Sequence, residues 1–155
     1  MHCAEKIIPT LPIFIKPISE AIGLGAAVEY LSNLGMNRIA TYEHEIGKYM
    51  YKRMKEIPGI RLLGPSDQRT SIVAFVVDGV HPSDLSTFLD MEGIAIRAGH
   101  HCCQPLHRAL GISHSARASL YFYNTREEVD LFIEKLEETL QFFKSADTNI
   151  DEGFF

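Results

Sequence analysis

The apolar positions along this chain change period several times, and each change marks an element. Residues 19–34 carry apolar side chains at Ile22, Ala26, Val28 and Leu31, the spacing of one helix face. Ser19 is placed to cap that helix and Gly35 to end it. Gly23 and Gly25 weaken it locally but allow close packing. A second, longer helix is predicted over residues 37–57, with Asn37 as its cap. Ile39, Ile46, Met50 and Met54 mark its buried side, and Glu43, Lys48, Lys52 and Lys55 its wet side. His44 falls among those charges and is expected in solvent. Pro58-Gly59 stops the helix.

The period then shortens. Residues 60–63 and 71–77 read as strands, separated by a turn built from Gly, Pro, Ser and Asp. Pro82 opens a helix through Met91, because proline is tolerated in the first helical turn. His81, just ahead of it, reads as a surface or capping residue. The run 93–97 reads as a buried strand on Ile94 and Ile96, followed by a loop and a helical turn near residues 106–110. Residues 115–122 read as a further strand. Residues 125–143 read as the closing helix, with Thr125 and Glu128 as a capping box. Val129, Phe132, Ile133, Leu136, Leu140 and Phe143 recur at three and four along it. The order α-α-β-β-α-β-β-α describes an α+β fold, a small and mostly antiparallel sheet with helices on one side.

The 155 residues suffice for one ordinary domain, and a hydrophobic fraction of 46% suffices for its core. A formal charge of −5 argues against a nucleic-acid partner, and no apolar run has the length of a membrane span. Three cysteines, an odd number, argue against a disulfide framework and fit a reducing compartment. Residues 1–17 form an atypical segment, rich in proline and carrying Cys3. They lack the features of a transit or secretory peptide. A soluble, intracellular protein is the expectation, and residues 146–155 are expected to form a disordered tail.

The stretch G-I-A-I-R-A-G-H-H-C-C-Q-P, residues 93–105, concentrates the chemistry. A strand that breaks into a loop fixes a reactive group in place and leaves it accessible. Cations near a thiol favour its nucleophilic thiolate, and Arg97, His100 and His101 surround Cys102 and Cys103 in sequence. Zinc fits the stretch poorly. Zinc ligands are usually spaced by two or more residues, and four adjacent side chains in an extended segment do not converge on one ion. Cys103 and His107, four apart, share a side if that part is helical. Inert structural cysteines are the plain alternative.

R-A-G-H-H-C-C-Q-P resembles the active-cysteine loop of SUF-type cysteine desulfurases, pyridoxal-phosphate (PLP) enzymes of the class-V aminotransferases. The run A-R-A-S-L-Y-F-Y-N-T, residues 116–125, resembles the family's next signature at the expected distance. The resemblance covers residues 18–143 and implies the C-terminal portion of a much longer enzyme, residues 18–145 being its small domain. It implies that Cys102 is the nucleophile that takes sulfur from L-cysteine as a persulfide, leaving L-alanine. It places Arg117 on the substrate carboxylate, with Arg97 also in the active site and His100 and His101 in the cofactor-facing loop. A guanidinium fork suits a carboxylate bidentately. The sulfur would pass to an acceptor protein for iron–sulfur cluster assembly, in the cytoplasm or a plastid.

Two departures qualify what is implied. Cys103 stands where the family usually has alanine, and Lys16-Pro17 stands where it has a Gly-Thr-Pro segment that helps hold the PLP phosphate. No lysine has the context of the family's Schiff-base lysine. The expectation is therefore a truncated desulfurase, or one completed by another chain, that does not bind PLP alone and that self-associates or pairs with a PLP domain. The alternatives are a non-catalytic relic or sulfur-carrying interaction module, and more weakly a metal-binding module.

Overall fold

A computed structural model of the protein describes residues 18–66 and 69–151, with side chains as far as residue 146. By contacts the chain divides into two units, Met1–Arg38 and Ile39–Phe155. The first contains α1, Ile18–Leu34. Ser19 lies inside this helix rather than ahead of it, and its hydroxyl donates to the Glu20 carboxylate at 2.9 Å. The predicted stripe is present in sequence, but α1 buries none of its residues, and Ile22 is 69% exposed. Gly35 follows in the left-handed region, at φ 91°, where glycine carries no steric penalty.

The second helix, α2, runs Met36–Lys55, starting one residue ahead of the predicted Asn37 cap. Its predicted stripe is its buried face: Ile39, Ile46, Met50 and Met54, joined by Gly47. A Cβ on Gly47 would stand 2.6 Å from the Thr70 carbonyl oxygen, so glycine lets the chain before the second strand lie directly on the helix. Two wet-side expectations are corrected. His44 is half-buried, its Nδ1 3.2 Å from the Arg69 carbonyl. Glu43 is half-buried, with Oε1 enclosed.

The sheet has four antiparallel strands in the order β1-β2-β4-β3. These are β1 Ile60–Leu63, β2 Ile72–Val77, β3 Arg97–Gly99 and β4 Ser115–Ser119. Residues paired across antiparallel strands share a face. Val73 pairs with Ala118 and Phe75 with Ala116, and this face is buried. It meets Ile46, Met50 and Met54 of α2, Leu85 and Leu89 of α3 (Pro82–Met91), and Val129, Phe132, Ile133, Leu136 and Leu140 of α5 (Arg126–Asp151) in one core. Each such side chain, fully buried, contributes about 1.5–3 kcal/mol.

His81 caps α3 as expected, its Nδ1 accepting the Ser83 N–H at 3.2 Å. The capping box of α5 also forms. Glu128 Oε2 accepts the Thr125 N–H at 2.9 Å, and the Thr125 hydroxyl accepts the Glu128 N–H at 3.3 Å.

Three boundaries differ from expectation. Residues 94–96 are not a strand, and Ile94 and Ile96 are only half-buried. Pairing begins at Arg97, where β3 first lies against β4. β4 stops at Ser119, ahead of an Asn124 turn in which the side-chain carbonyl accepts the Tyr121 N–H at 2.8 Å. The closing helix continues to Asp151, beyond the predicted end at 143. The tail expected to be disordered over residues 146–155 is helical as far as Asp151, while residues 152–155 and the atypical segment 1–17 lie outside the described residues.

Candidate functional site

The loop between β3 and β4 carries the predicted site. Its base is the pairing of Arg97 with Arg117 and of Gly99 with Ser115. Arg97 and Arg117 therefore lie side by side on the sheet face away from the core, Arg97 exposed and Arg117 half-buried. Two like charges directly opposite one another repel. The Arg117 Nε is enclosed without a hydrogen-bond partner. Two adjacent cations with an unused donor can attract an anionic group, and a guanidinium fork matches a carboxylate in shape.

Past Gly99, at φ 124°, the chain turns sharply. The Cys103 N–H donates to the His100 carbonyl at 2.9 Å, closing a four-residue turn. Both central residues have positive φ, His101 at 51° and Cys102 at 60°. This is the requirement of a type I′ turn, normally met by Asn and Gly. A non-glycine residue held there costs of order 1–2 kcal/mol. The cost leaves Cys102 exposed at the turn's apex, and no hydrogen bond to its thiol is found among the described residues.

The flanking side chains hold the turn in that shape. The Cys103 thiol is half-buried and donates to the His100 carbonyl at 3.0 Å. Cys103 is also the N-cap position of α4, Gln104–Ala109. The expected four-residue spacing places His107 beneath it, with Nδ1 3.7 Å from Cys103 Sγ and 3.2 Å from the Cys103 carbonyl. His107 is buried, and its Nε2 lies 2.9 Å from the Ser115 hydroxyl. His101 Nε2 lies 3.1 Å from the same hydroxyl.

A hydroxyl has one proton to give, which assigns the tautomers. His107 Nδ1–H donates to the Cys103 carbonyl, so His107 Nε2 accepts from Ser115 Oγ. Ser115 Oγ in turn accepts from His101 Nε2–H. The network runs His101, Ser115, His107, Cys103.

More imidazoles adjoin it. The His100 ring lies 4.5 Å from His114 and 5.6 Å from His107, and His114 lies 5.1 Å from His81. Burial, the Arg117 charge and neighbouring His107 lower the His101 pKa below its usual value, against a hydrogen bond at Ser115 that raises it. His114 is lowered as well, by burial and then by His100, His81 and His107. Among the described residues no group of three or more His, Cys, Asp or Glu side chains is arranged to hold a metal ion.

The sequence brought Arg97, His100, His101, Cys102 and Arg117 to one loop and its base, where they lie. It did not single out Ser115 or His114, and it read His81 as a surface or capping residue rather than as a neighbour of this cluster. Ser115 carried one usable signal, a polar residue opening a strand that otherwise alternates with alanine.

The class-V aminotransferase family model matches residues 15–132. The chain belongs to the class-V aminotransferase family. A probable cysteine desulfurase of Synechocystis sp. is 52% identical over 86% of this chain and 32% of its own length. One of Staphylococcus epidermidis is 46% identical over 81% of this chain and 31% of its own. The chain therefore spans about a third of the curated relatives it matches. Two solved cysteine desulfurases share its fold. That of Thermococcus onnurineus has a TM-score of 0.77 and 36% identity, over 81% of this chain and 32% of its own. CsdA of Escherichia coli has a TM-score of 0.77 and 34% identity, over 83% of this chain and 32% of its own. The desulfurase fold and the antiparallel α+β sheet stand as the sequence implied.

Proposed function

We propose that this chain carries the sulfur-accepting nucleophile of a cysteine desulfurase, with Cys102 taking sulfur from L-cysteine and L-alanine leaving. The observation that carries the reading is Cys102 itself: an exposed thiol at the apex of a turn whose central residues are both at positive φ. Backbone strain of that kind persists where the surrounding structure enforces it, and it clusters at functional sites. Arg97 and Arg117, paired at the root of the loop, would take the substrate carboxylate. An exposed persulfide on Cys102 would be open to an acceptor protein, for which iron–sulfur cluster assembly is the proposed use.

PLP supplies an electron sink for the substrate's carbanion, and needs a Schiff-base lysine, a pyridine-nitrogen partner and a phosphate cradle. The described residues do not fit it. Lysines occur on α2 and α5, and Lys135 is engaged with Glu138 at 2.8 Å and Glu92 at 3.6 Å. None is in the β3–β4 loop. Pairing with a PLP-bearing domain is therefore part of the proposal.

A graft tests the reading. This chain replaces the matching third of the Synechocystis relative, and alanine formation from L-cysteine is measured beside the parent. Retained activity that disappears in Cys102→Ser supports it. Retained activity in Cys102→Ser removes it.

A further inference from the structure

The cysteine that has a histidine is Cys103, not Cys102. We propose that Cys103 is a resolving thiol, which attacks the persulfide on Cys102, releases sulfide and closes a reversible Cys102–Cys103 disulfide. The proposal rests on the reading of Cys102 as the sulfur-bearing residue. It goes beyond that reading, because it gives the chain a way to unload sulfur without an acceptor.

The geometry sets out a nucleophile and its support. Cys103 Sγ faces His107 Nδ1 at 3.7 Å, and His107 is in turn fixed by the Ser115 hydroxyl at 2.9 Å. The His107 Nδ1–H, held in place by the Ser115 hydroxyl at the far side of the ring, is a donor beside the Cys103 sulfur, and a donor favours the thiolate over the thiol. His107 is only 4% exposed, so its ring is held in place by packing as well as by Ser115. Cys103 is half-buried and Cys102 exposed, so the attack requires the Cys103 side chain to rotate toward the surface.

The step balances without an external oxidant. The Cys103 sulfur attacks Sγ of Cys102, the Sγ–Sδ bond of the persulfide breaks, and the outer sulfur leaves. That sulfur is reduced from the sulfane to the sulfide level, and the two cysteine sulfurs are oxidised to a disulfide. The Cys103 thiol proton and the persulfide proton leave with it as hydrogen sulfide. His107 Nδ1–H faces the Cys103 sulfur as its proton departs. Adjacent Cα atoms stand about 3.8 Å apart, closer than the roughly 4.4–6.8 Å of ordinary disulfides. The product is therefore strained, and strained disulfides are the readily reduced ones. A thiol reductant would return both cysteines.

The chain is loaded with inorganic polysulfide, desalted, and followed by peptide mass spectrometry of residues 98–108 and by sulfide release. The wild-type persulfide should decay to the internal disulfide with an equivalent of sulfide released. In Cys103→Ser, whose hydroxyl still donates to the His100 carbonyl, the persulfide should remain on Cys102. In His107→Gln the decay should slow roughly tenfold or more, the worth of a charge-assisted hydrogen bond. Equal persistence in wild type and Cys103→Ser overturns the resolving role and leaves Cys102 as the sulfur carrier. Failure of Cys103→Ser to hold sulfur on Cys102 overturns the sulfur-carrier reading, and the resolving role with it.

Discussion

The two faces of β4 carry different kinds of residue. Ala116 and Ala118 point to the core, paired with Phe75 and Val73, and leave room for those larger neighbours. Ser115 and Arg117 point the other way, paired with Gly99 and Arg97. One face is uniform, apolar and fully enclosed. The other holds two like charges, an unpartnered guanidinium nitrogen and the hydroxyl that links two histidines. Strand alternation puts the core and the proposed site one residue apart. Substitutions on β4 and its partners should therefore fall into two classes.

The largest effect belongs to the core face. Phe75→Ala removes a side chain with no exposed surface, packed among α2, α3 and α5. About 3–5 kcal/mol of stability should be lost, read by denaturant unfolding. A loss under about 1 kcal/mol would mean that the enclosed face is not what holds the sheet. Gly47→Ala comes next. Alanine is the better helix former by about 1 kcal/mol, but its Cβ meets the Thr70 carbonyl at 2.6 Å. Overpacking costs typically about 1–3 kcal/mol, so a net loss is expected in the same assay. A gain would show that the β2 approach yields freely.

Smaller still is the helix cap. Thr125→Ala removes the hydroxyl that accepts the Glu128 N–H, and should cost about 1 kcal/mol. Glu128 sharpens it through pH. The Thr125 N–H and then the Asn124 side chain hold its carboxyl below the usual range. A lowered folded pKa means that the contribution is present above the unfolded value and is lost as acid protonates the folded carboxylate. The Glu128 arm of the cap should therefore weaken at low pH, and a Glu128→Gln chain with the same pH dependence of stability would place that dependence elsewhere.

The elements of this fold were legible where period and packing agree. The α2 stripe, the α3 start at Pro82 and the α5 capping box were read from spacing alone, because each depends on neighbours within a turn or two. α1 shows the limit. Its apolar positions match a buried face, yet it buries none of them, and spacing says nothing about what a face meets. The strand at residues 94–96 failed for a related reason: β-branched residues invite pairing, but the β4 partner reaches only Arg97 to Gly99. In the site, adjacent residues were legible and the assembled network was not. Ser115 and His107 stand eight residues apart in sequence, and their contact depends on α4 folding back to the start of β4.

The chemical face should answer to pH without the core following. His101 and His114 both have lowered pKa values, so the folded protein favours their neutral forms. A base with a lowered folded pKa binds its proton sooner when unfolded. Its contribution is therefore complete above about 6.5, the unfolded value, and is lost as the pH falls from there to the folded value. Acidification through that window should loosen the His100–Cys103 turn first. Amide exchange at Cys103, whose N–H closes the turn, should quicken while amides of β2 stay protected. Simultaneous loss in both places would tie the two faces into one unit.

The smallest effect on stability is expected at Arg97, and it separates the faces most cleanly. Arg97 is exposed and lies opposite Arg117, so Arg97→Ala removes a repulsion along with a side chain. Unfolding should shift by no more than about 0.5 kcal/mol. The loop should keep its shape, because the turn is tied through His101, Ser115 and His107 rather than through Arg97. Iodoacetamide then reports on the turn. In both proteins Cys102 should be labelled before Cys103, since Cys102 is exposed while the Cys103 thiol is half-buried and donates to the His100 carbonyl. Cys102 should also precede Cys3. Labelling of Cys103 first would mean that the turn opens readily in solution, and that the strain at His101 and Cys102 is not enforced by the network beneath them. A loss of stability in Arg97→Ala comparable with that of Phe75→Ala would break the division of β4 into a face that holds the fold and a face that carries its chemistry.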